Sequence, residues 1–179
     1  MFKNAAKIKE ISYDEILELA SLGAGVIHPR AVGFGKKYDI KMHIRSSSEE
    51  QEGTIITHEV SEMEGVVVSG ATVQKDMAKI GLVGVDNVPG NAAKIFACLA
   101  NAKVVVNDIV QTEVSAKKAN LSFMIGVSDL TAAKKAVEEI KDEVNCERIF
   151  IREDIAEISV VGVGMRTHYG VADKMFGAL

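Results

Sequence analysis

The run Asp86-Asn87-Val88-Pro89-Gly90-Asn91-Ala92 has residue types suited to holding a small charged molecule. The amides of Gly90, Asn91 and Ala92 stand where a helix would begin, and N–H groups there stabilise an anion with help from the helix dipole. Gly90 lets the backbone approach closely. Asp86 is an acceptor for an ammonium or another donor, and Gln111 adds one acceptor and two donors. Each feature also has a plain structural reading. A strand–Pro-Gly–helix turn is common, Asp86 alone is a helix cap, and Gln111 alone is a solvated strand end.

The remaining chemistry-bearing residues are scattered. His28, His43, His58 and His168 lack metal-ligand spacing and read as surface or packing residues, so no metal site is expected. Cys98 and Cys146 are far apart and read as two buried thiols. No catalytic residues are expected. The acidic run at 49–52 reads as a solvated loop.

The elements that position the 86–92 run follow from an internal repeat. Residues 78–99 match 156–179 with two extra residues in the second loop. Gly84 aligns with Gly162, Gly90 with Gly170, Ala92 with Ala172, Lys94 with Lys174, Phe96 with Phe176 and Leu99 with Leu179. Each copy predicts a buried strand, a glycine-containing loop and a helix. The second loop contains Gly164, Met165 and Gly170, with Met165 read as packing.

The first copy predicts a strand at 80–85, then a helix with Pro89 at its first position and Ile95, Phe96 and Leu99 on one apolar face. Strands at 104–111 and 121–127 form a hairpin through a polar loop. Asp129 caps a helix carrying the stripe Leu130, Ala133, Val137, Ile140 and Val144. A fourth strand covers 148–152. The order is βαββαβ, the ferredoxin-like split unit. The second copy stops inside its first helix, which predicts either a piece of something longer or a partner that completes it.

Ahead of the repeat, Ser12 and Glu15 form a capping box, so a helix starts near Tyr13 and ends near Gly23. His28-Pro29 begins a second helix, weakened by Gly33 and Gly35. Ile40, Met42 and Ile44 alternate with polar residues as a half-buried strand does. Residues 65–69 predict a strand leading into the repeat.

Composition bounds the function. The chain has 179 residues, a formal net charge of -4, no Trp and few aromatics. That argues against nucleic acid, which wants a basic face and stacking rings. A ferredoxin-like RNA binder would carry aromatics on its central strands, and 104–111 has none. No apolar run spans a membrane and no signal peptide opens the chain, so a cytoplasmic protein is expected.

Three stretches carry a resemblance to a known family. EISYDEILELASLGAGVIHPRAV with KKYDIKMHIRSSSEEQEGTIIT resembles the end of the aspartate kinase catalytic domain. GLVGVDNVPGNAAKIFACLANAKVVVNDIVQ is similar to the first ACT domain of the same enzymes. ISVVGVGMRTHYGVADKMF resembles the opening of the second. The implied class is α+β, with ferredoxin-like βαββαβ ACT domains preceded by a short α/β segment. The implied divisions are 1–60, 61–153 and an incomplete 154–179.

The resemblance implies a regulatory portion of aspartokinase, a transferase of lysine, threonine and methionine biosynthesis subject to feedback inhibition. Such enzymes phosphorylate aspartate with ATP and Mg. The motifs for that chemistry have no counterpart here, so no cofactor and no stand-alone kinase activity are expected. Lysine or threonine would bind Asp86, Asn87, Val88, Pro89, Gly90, Asn91, Ala92 and Gln111, with Gly164, Met165 and Gly170 in the equivalent second loop. A homodimer through ACT sheets and a kinase subunit are the implied partners. Two positions depart from the family pattern: Gly25 replaces a nucleotide-contacting Lys, and Tyr169 replaces a Pro. A different reading is a ligand-free assembly module.

Overall fold

The computed structural model describes residues 6–58, 60 and 67–179, with backbone alone at 163 and 166. Its contacts define two compact units, Met1–Gln74 with Ile158–Leu179, and Lys75–Glu157.

In the first unit, β1 (Glu10–Ser12) runs into α1 (Tyr13–Ser21). The Ser12 hydroxyl accepts the Glu15 amide at 3.2 Å, and the Glu15 carboxylate accepts the Ser12 amide at 3.4 Å. This is the capping box that the sequence predicts. At the other end Gly23 turns left-handed at φ 88°, and the Ala24 amide returns to the Leu19 carbonyl at 3.0 Å. That pair of features is a Schellman closure.

Next comes α2 (Pro29–Lys37), with Pro29 at its first position and the His28 ring accepting the Arg30 amide at 3.2 Å. Gly35 does more than weaken this helix. A Cβ there would lie 2.5 Å from the Met42 sulfur and 3.1 Å from the Tyr13 ring, so its bareness lets the helix pack closely.

β2 (Met42–Ile44) and β3 (Thr54–Thr57) complete a small sheet ordered β1-β3-β2, with β1 parallel and β2 antiparallel to β3. Its core holds Ile11, Tyr13, Ile16, Leu19, Val32, Ile56 and Val161. Residues 67–69, expected as strand, are not strand; 65 and 66 lie outside the described residues.

The second unit is built on β4 (Gly70–Asp86), whose residues from Lys75 belong to it. Then follow α3 (Asn91–Asn101), β5 (Val106–Ser115), β6 (Lys118–Gly126), α4 (Leu130–Ile140) and β7 (Arg148–Val161). The sheet order is β5-β6-β4-β7, and β6 is antiparallel to both neighbours. This is the expected ferredoxin-like arrangement. Alternate residues Ala119, Leu121, Phe123 and Ile125 of β6 are buried, with Ile80 and Leu82 of β4 beside them. Ile95 and Leu99 of α3 and Ala133, Val137 and Ile140 of α4 cover that face. Complete burial of each large aliphatic side chain contributes about 1.5–3 kcal/mol. Phe96 meets Phe123 edge-on at 5.9 Å.

Three local expectations are corrected. The strands read separately at 148–152 and at the start of the second repeat copy form one strand, β7. Asp129 holds the position before α4 but makes no capping bond. A 3-10 turn, Val127–Asp129, precedes the helix, and the Asp129 carboxylate instead accepts the Val105 amide at 3.3 Å. The second strand begins at Val106 because Lys103 is left-handed, φ 58°, and the Val104 amide still closes α3 on the Leu99 carbonyl.

After β7, a 3-10 turn (Val163–Arg166) leads to α5 (Val171–Gly177). Its Phe176, and Leu179 after it, are exposed, whereas their repeat counterparts Phe96 and Leu99 pack in the second unit. Among the described residues no helix is long and apolar enough to cross a membrane.

Candidate functional site

The 86–92 loop differs from its sequence reading at the turn. Pro89 is not the first helical residue: α3 begins at Asn91, with Gly90 left-handed at φ 96° as its N-cap. The Asn91 amide donates to the Val88 carbonyl at 3.3 Å, across a Pro89-Gly90 centre. Pro followed by a positive-φ Gly is the signature of a type II turn. One of the three amides expected to face a ligand, that of Asn91, is therefore engaged. Those of Ala92 and Ala93 open the helix ahead of any intrahelical carbonyl.

The loop is pinned from several elements. The Asp86 amide donates to Val144 O at 3.1 Å, the Asn87 amide to Lys117 O at 2.8 Å, and the buried Asn91 side chain to Asp86 O at 3.0 Å. Gly84, left-handed at φ 68°, sits in an irregularity of the β4–β6 ladder and donates its amide to the Asn120 side chain at 3.0 Å.

All eight residues selected from the sequence, Asp86 to Ala92 and Gln111, line one cavity of about 390 Å³. Gln111 reaches it because β5 pairs with β6, placing Gln111 opposite Leu121. Val85, Ile95, Ala119 and Leu121 give the cavity an apolar floor.

Sequence reasoning offers the Asp86 carboxylate to a ligand. In the structure both of its oxygens have partners: Lys118 Nζ lies 3.1 Å from Oδ1, and Asn145 Nδ2 donates to Oδ2 at 2.6 Å. The Asn145 bond, then the Lys118 bond, hold the Asp86 carboxyl below the usual carboxylate range. The bond to Asp86 in turn pushes the Lys118 ammonium up. Lys118 and Asn145 are the functional candidates that the sequence reading missed. Lys118 is signalled only by strand register, since it pairs directly with Asp86 across β4 and β6.

In the second loop, Met165 and Gly170 line a separate cavity of about 340 Å³ with His168, Val171 and Phe176. Gly164 is not brought into it. Its carbonyl accepts the Thr167 and His168 amides at 3.2 and 3.1 Å. Tyr169 is wholly exposed. Cys98 and Cys146 are free thiols, the second buried.

No family model matches the chain. It is 42% identical over 177 residues to the aspartokinase of Bacillus sp. (strain MGA3), covering 99% of this chain and 43% of that protein. It is 34% identical, with a TM-score of 0.58, to the solved regulatory subunit of aspartate kinase from Thermus thermophilus, covering 63% of this chain and 74% of that one. The chain belongs to the aspartate kinase family.

Within the aspartate kinase family the chain spans less than half the length of the curated relatives it matches, 43% of the Bacillus protein. Clostridium acetobutylicum aspartate kinase gives a TM-score of 0.85 at 27% identity, over 99% of this chain and 41% of that enzyme. The match to a regulatory subunit assigns the shared residues to the regulatory region of aspartate kinase, with its ferredoxin-like ACT fold.

Proposed function

We propose that this chain senses an amino acid for an aspartate kinase, taking up lysine or threonine in the cleft between the 86–92 loop and Gln111. One observation supports the reading above the rest: eight residues chosen from sequence, contributed by β4, the loop after it, α3 and β5, line one cavity. The Ala92 and Ala93 amides suit the ligand carboxylate. The Asn87 and Gln111 side chains supply donors and acceptors for its other polar groups.

In this reading the whole protein phosphorylates aspartate with ATP and Mg, and this region biases that activity. Binding in the cleft would favour one arrangement of the regulatory region over another and so shift the kinase equilibrium. Strand β5 ends its sheet, and Ile109, Val110 and Val114 on it are exposed. Side-by-side pairing of two copies through that edge is the dimer this function uses. In this reading the chain by itself has no kinase activity, and ADP release with aspartate and ATP is the assay that checks it.

Calorimetric titration of the chain with L-lysine and L-threonine tests the proposal, with Gln111→Ala as control. Saturable heat in the parent and at least about a tenfold loss in the variant are expected, the size of a lost hydrogen bond to a charged group. Equal affinities would remove Gln111 from the site. Absence of any shift in melting midpoint with the 20 amino acids would favour a ligand-free assembly module instead.

A further inference from the structure

We propose that Lys118 is a specificity-positioning residue of this cleft: by neutralising Asp86 it tunes the cleft for an amino acid with a short uncharged side chain, against a cationic one. The inference rests on the amino-acid-binding reading above and deepens it.

Among the described residues that line the cleft, Asp86 is the one with a charged side chain. A lysine ligand would need it as the partner for its ε-ammonium. That carboxylate is already taken, by Lys118 at 3.1 Å on one oxygen and by Asn145 at 2.6 Å on the other. Lys118 is itself fixed. Its ammonium donates to Gly84 O at 2.7 Å and Asn145 O at 3.2 Å, and Glu147 Oε1 stands 3.6 Å away. An ammonium has three N–H donors, and Gly84 O, Asn145 O and Asp86 Oδ1 occupy them.

The rest of the cleft deepens the bias. Val85, Ile95, Ala119 and Leu121 are apolar, and Asn87 and Gln111 are neutral amides. The methyl of a threonine side chain suits the apolar part of this lining, and its hydroxyl can bond to the Asn87 or Gln111 amide. Both ligands bring an α-ammonium, which the Asn87 and Gln111 amide oxygens can accept; the second ammonium of lysine would give up water without gaining a counter-charge, which is strongly unfavourable. Glu147 does not supply one from beside the cleft, because it faces Lys118 and packs on Gly84.

The experiment is calorimetric titration of the full chain with L-threonine and L-lysine at pH 7. Four proteins are compared: the parent, Lys118→Arg, Lys118→Met and the double variant Lys118→Met with Asp86→Asn. The parent should bind threonine more tightly than lysine. Lys118→Met leaves Asp86 without its counter-ion, so the lysine-to-threonine affinity ratio should rise roughly fivefold, the scale of a partly exposed ion pair. Lys118→Arg should restore the parental ratio, and adding Asp86→Asn to Lys118→Met should abolish the rise.

A residue that only braces the loop would weaken both ligands together. Binding with an unchanged ratio therefore overturns this inference and leaves the proposed function standing. Parental preference for lysine also overturns it. A parent that binds neither ligand sinks the amino-acid-binding reading, and this inference with it. If Lys118→Met does not fold, Asp86→Asn alone decides. It removes the nearer of the two carboxylates facing Lys118, leaving Glu147, and should lower the ratio; no change refutes the assignment.

Discussion

Gly90 and Gly170 hold the same left-handed conformation, φ 96° and φ 83°, and each accepts a lysine amide at the start of its helix. Lys94 donates to Gly90 O at 3.0 Å and Lys174 to Gly170 O at 3.1 Å. The repeat visible in sequence is thus a repeated backbone corner. At Gly84 and Gly162 the likeness fails, since the first is left-handed and the second is extended at φ 175°.

Alanine at Gly90 tests the corner. A Cβ there would meet nothing within 4 Å, so the cost is conformational alone. Gly90→Ala should lose about 1–2 kcal/mol in urea unfolding followed by circular dichroism, and Gly90→Asn clearly less. Equal losses for the two variants would mean that crowding, and not backbone angle, sets the penalty.

Acid should weaken the second unit through Asp86. Its carboxyl is depressed in the folded chain by Asn145 and Lys118. The stabilisation is therefore complete above the unfolded value, about 3.9, and is lost as pH falls through the lower folded value. Lys118 is raised, so its share holds below about 10.4 and fades only in stronger base. The stability gap between parent and Asp86→Asn, from urea midpoints, should be flat between about pH 5 and 9 and should shrink toward pH 2. A gap that persists undiminished at pH 2 would show the carboxylate to be thermodynamically idle.

The two thiols should react at different rates. Cys146 is buried, burial pushes its thiol up, and its sulfur donates to the Arg148 carbonyl at 3.4 Å. Cys98 is only partly buried. A disulfide reagent at pH 8 should label one thiol quickly, and Cys98→Ser should remove that fast phase. Loss of the slow phase instead would reverse the assignment.

Glu15 should matter more than an ordinary capping residue. Its carboxylate serves the Ser12 amide and hydroxyl and also accepts the Ser69 hydroxyl, all from a buried position. Ser12→Ala should cost about 1 kcal/mol. Glu15→Ala should cost about 2–3 kcal/mol, because it removes the cap and leaves the half-buried Ser12 and Ser69 donors without this acceptor. Similar losses for the two in urea melts would reduce Glu15 to a cap.

Elements with strong local signals were legible in the sequence. The Ser12–Glu15 box, the Pro29 helix start and the stripe from Leu130 to Val144 are set by neighbouring residues. β1 and β3 escaped because EIS and TIIT have no alternation continued in their flanks, as Ile40 continues that of Met42 and Ile44 in β2. The candidate cavity was legible in its lining, since Asp86 to Ala92 are contiguous and Gln111 ends an apolar run. What Asp86 does there was not. Its partners Lys118 and Asn145 come from a hairpin end and a left-handed turn, φ 48°, whose proximity only the register of β4 on β6 and the path after α4 establish. The resemblance to aspartate kinase supplied the residues of interest but not their electrostatic company.

The outward strand β5 carries a practical lesson for anyone handling this protein. If the proposed pairing through this edge forms, a terminal ribbon with Ile109, Val110 and Val114 in water would take up another ribbon as solutions grow concentrated. Melting midpoints should then climb with the micromolar amount in the cuvette, and no single value will describe the molecule.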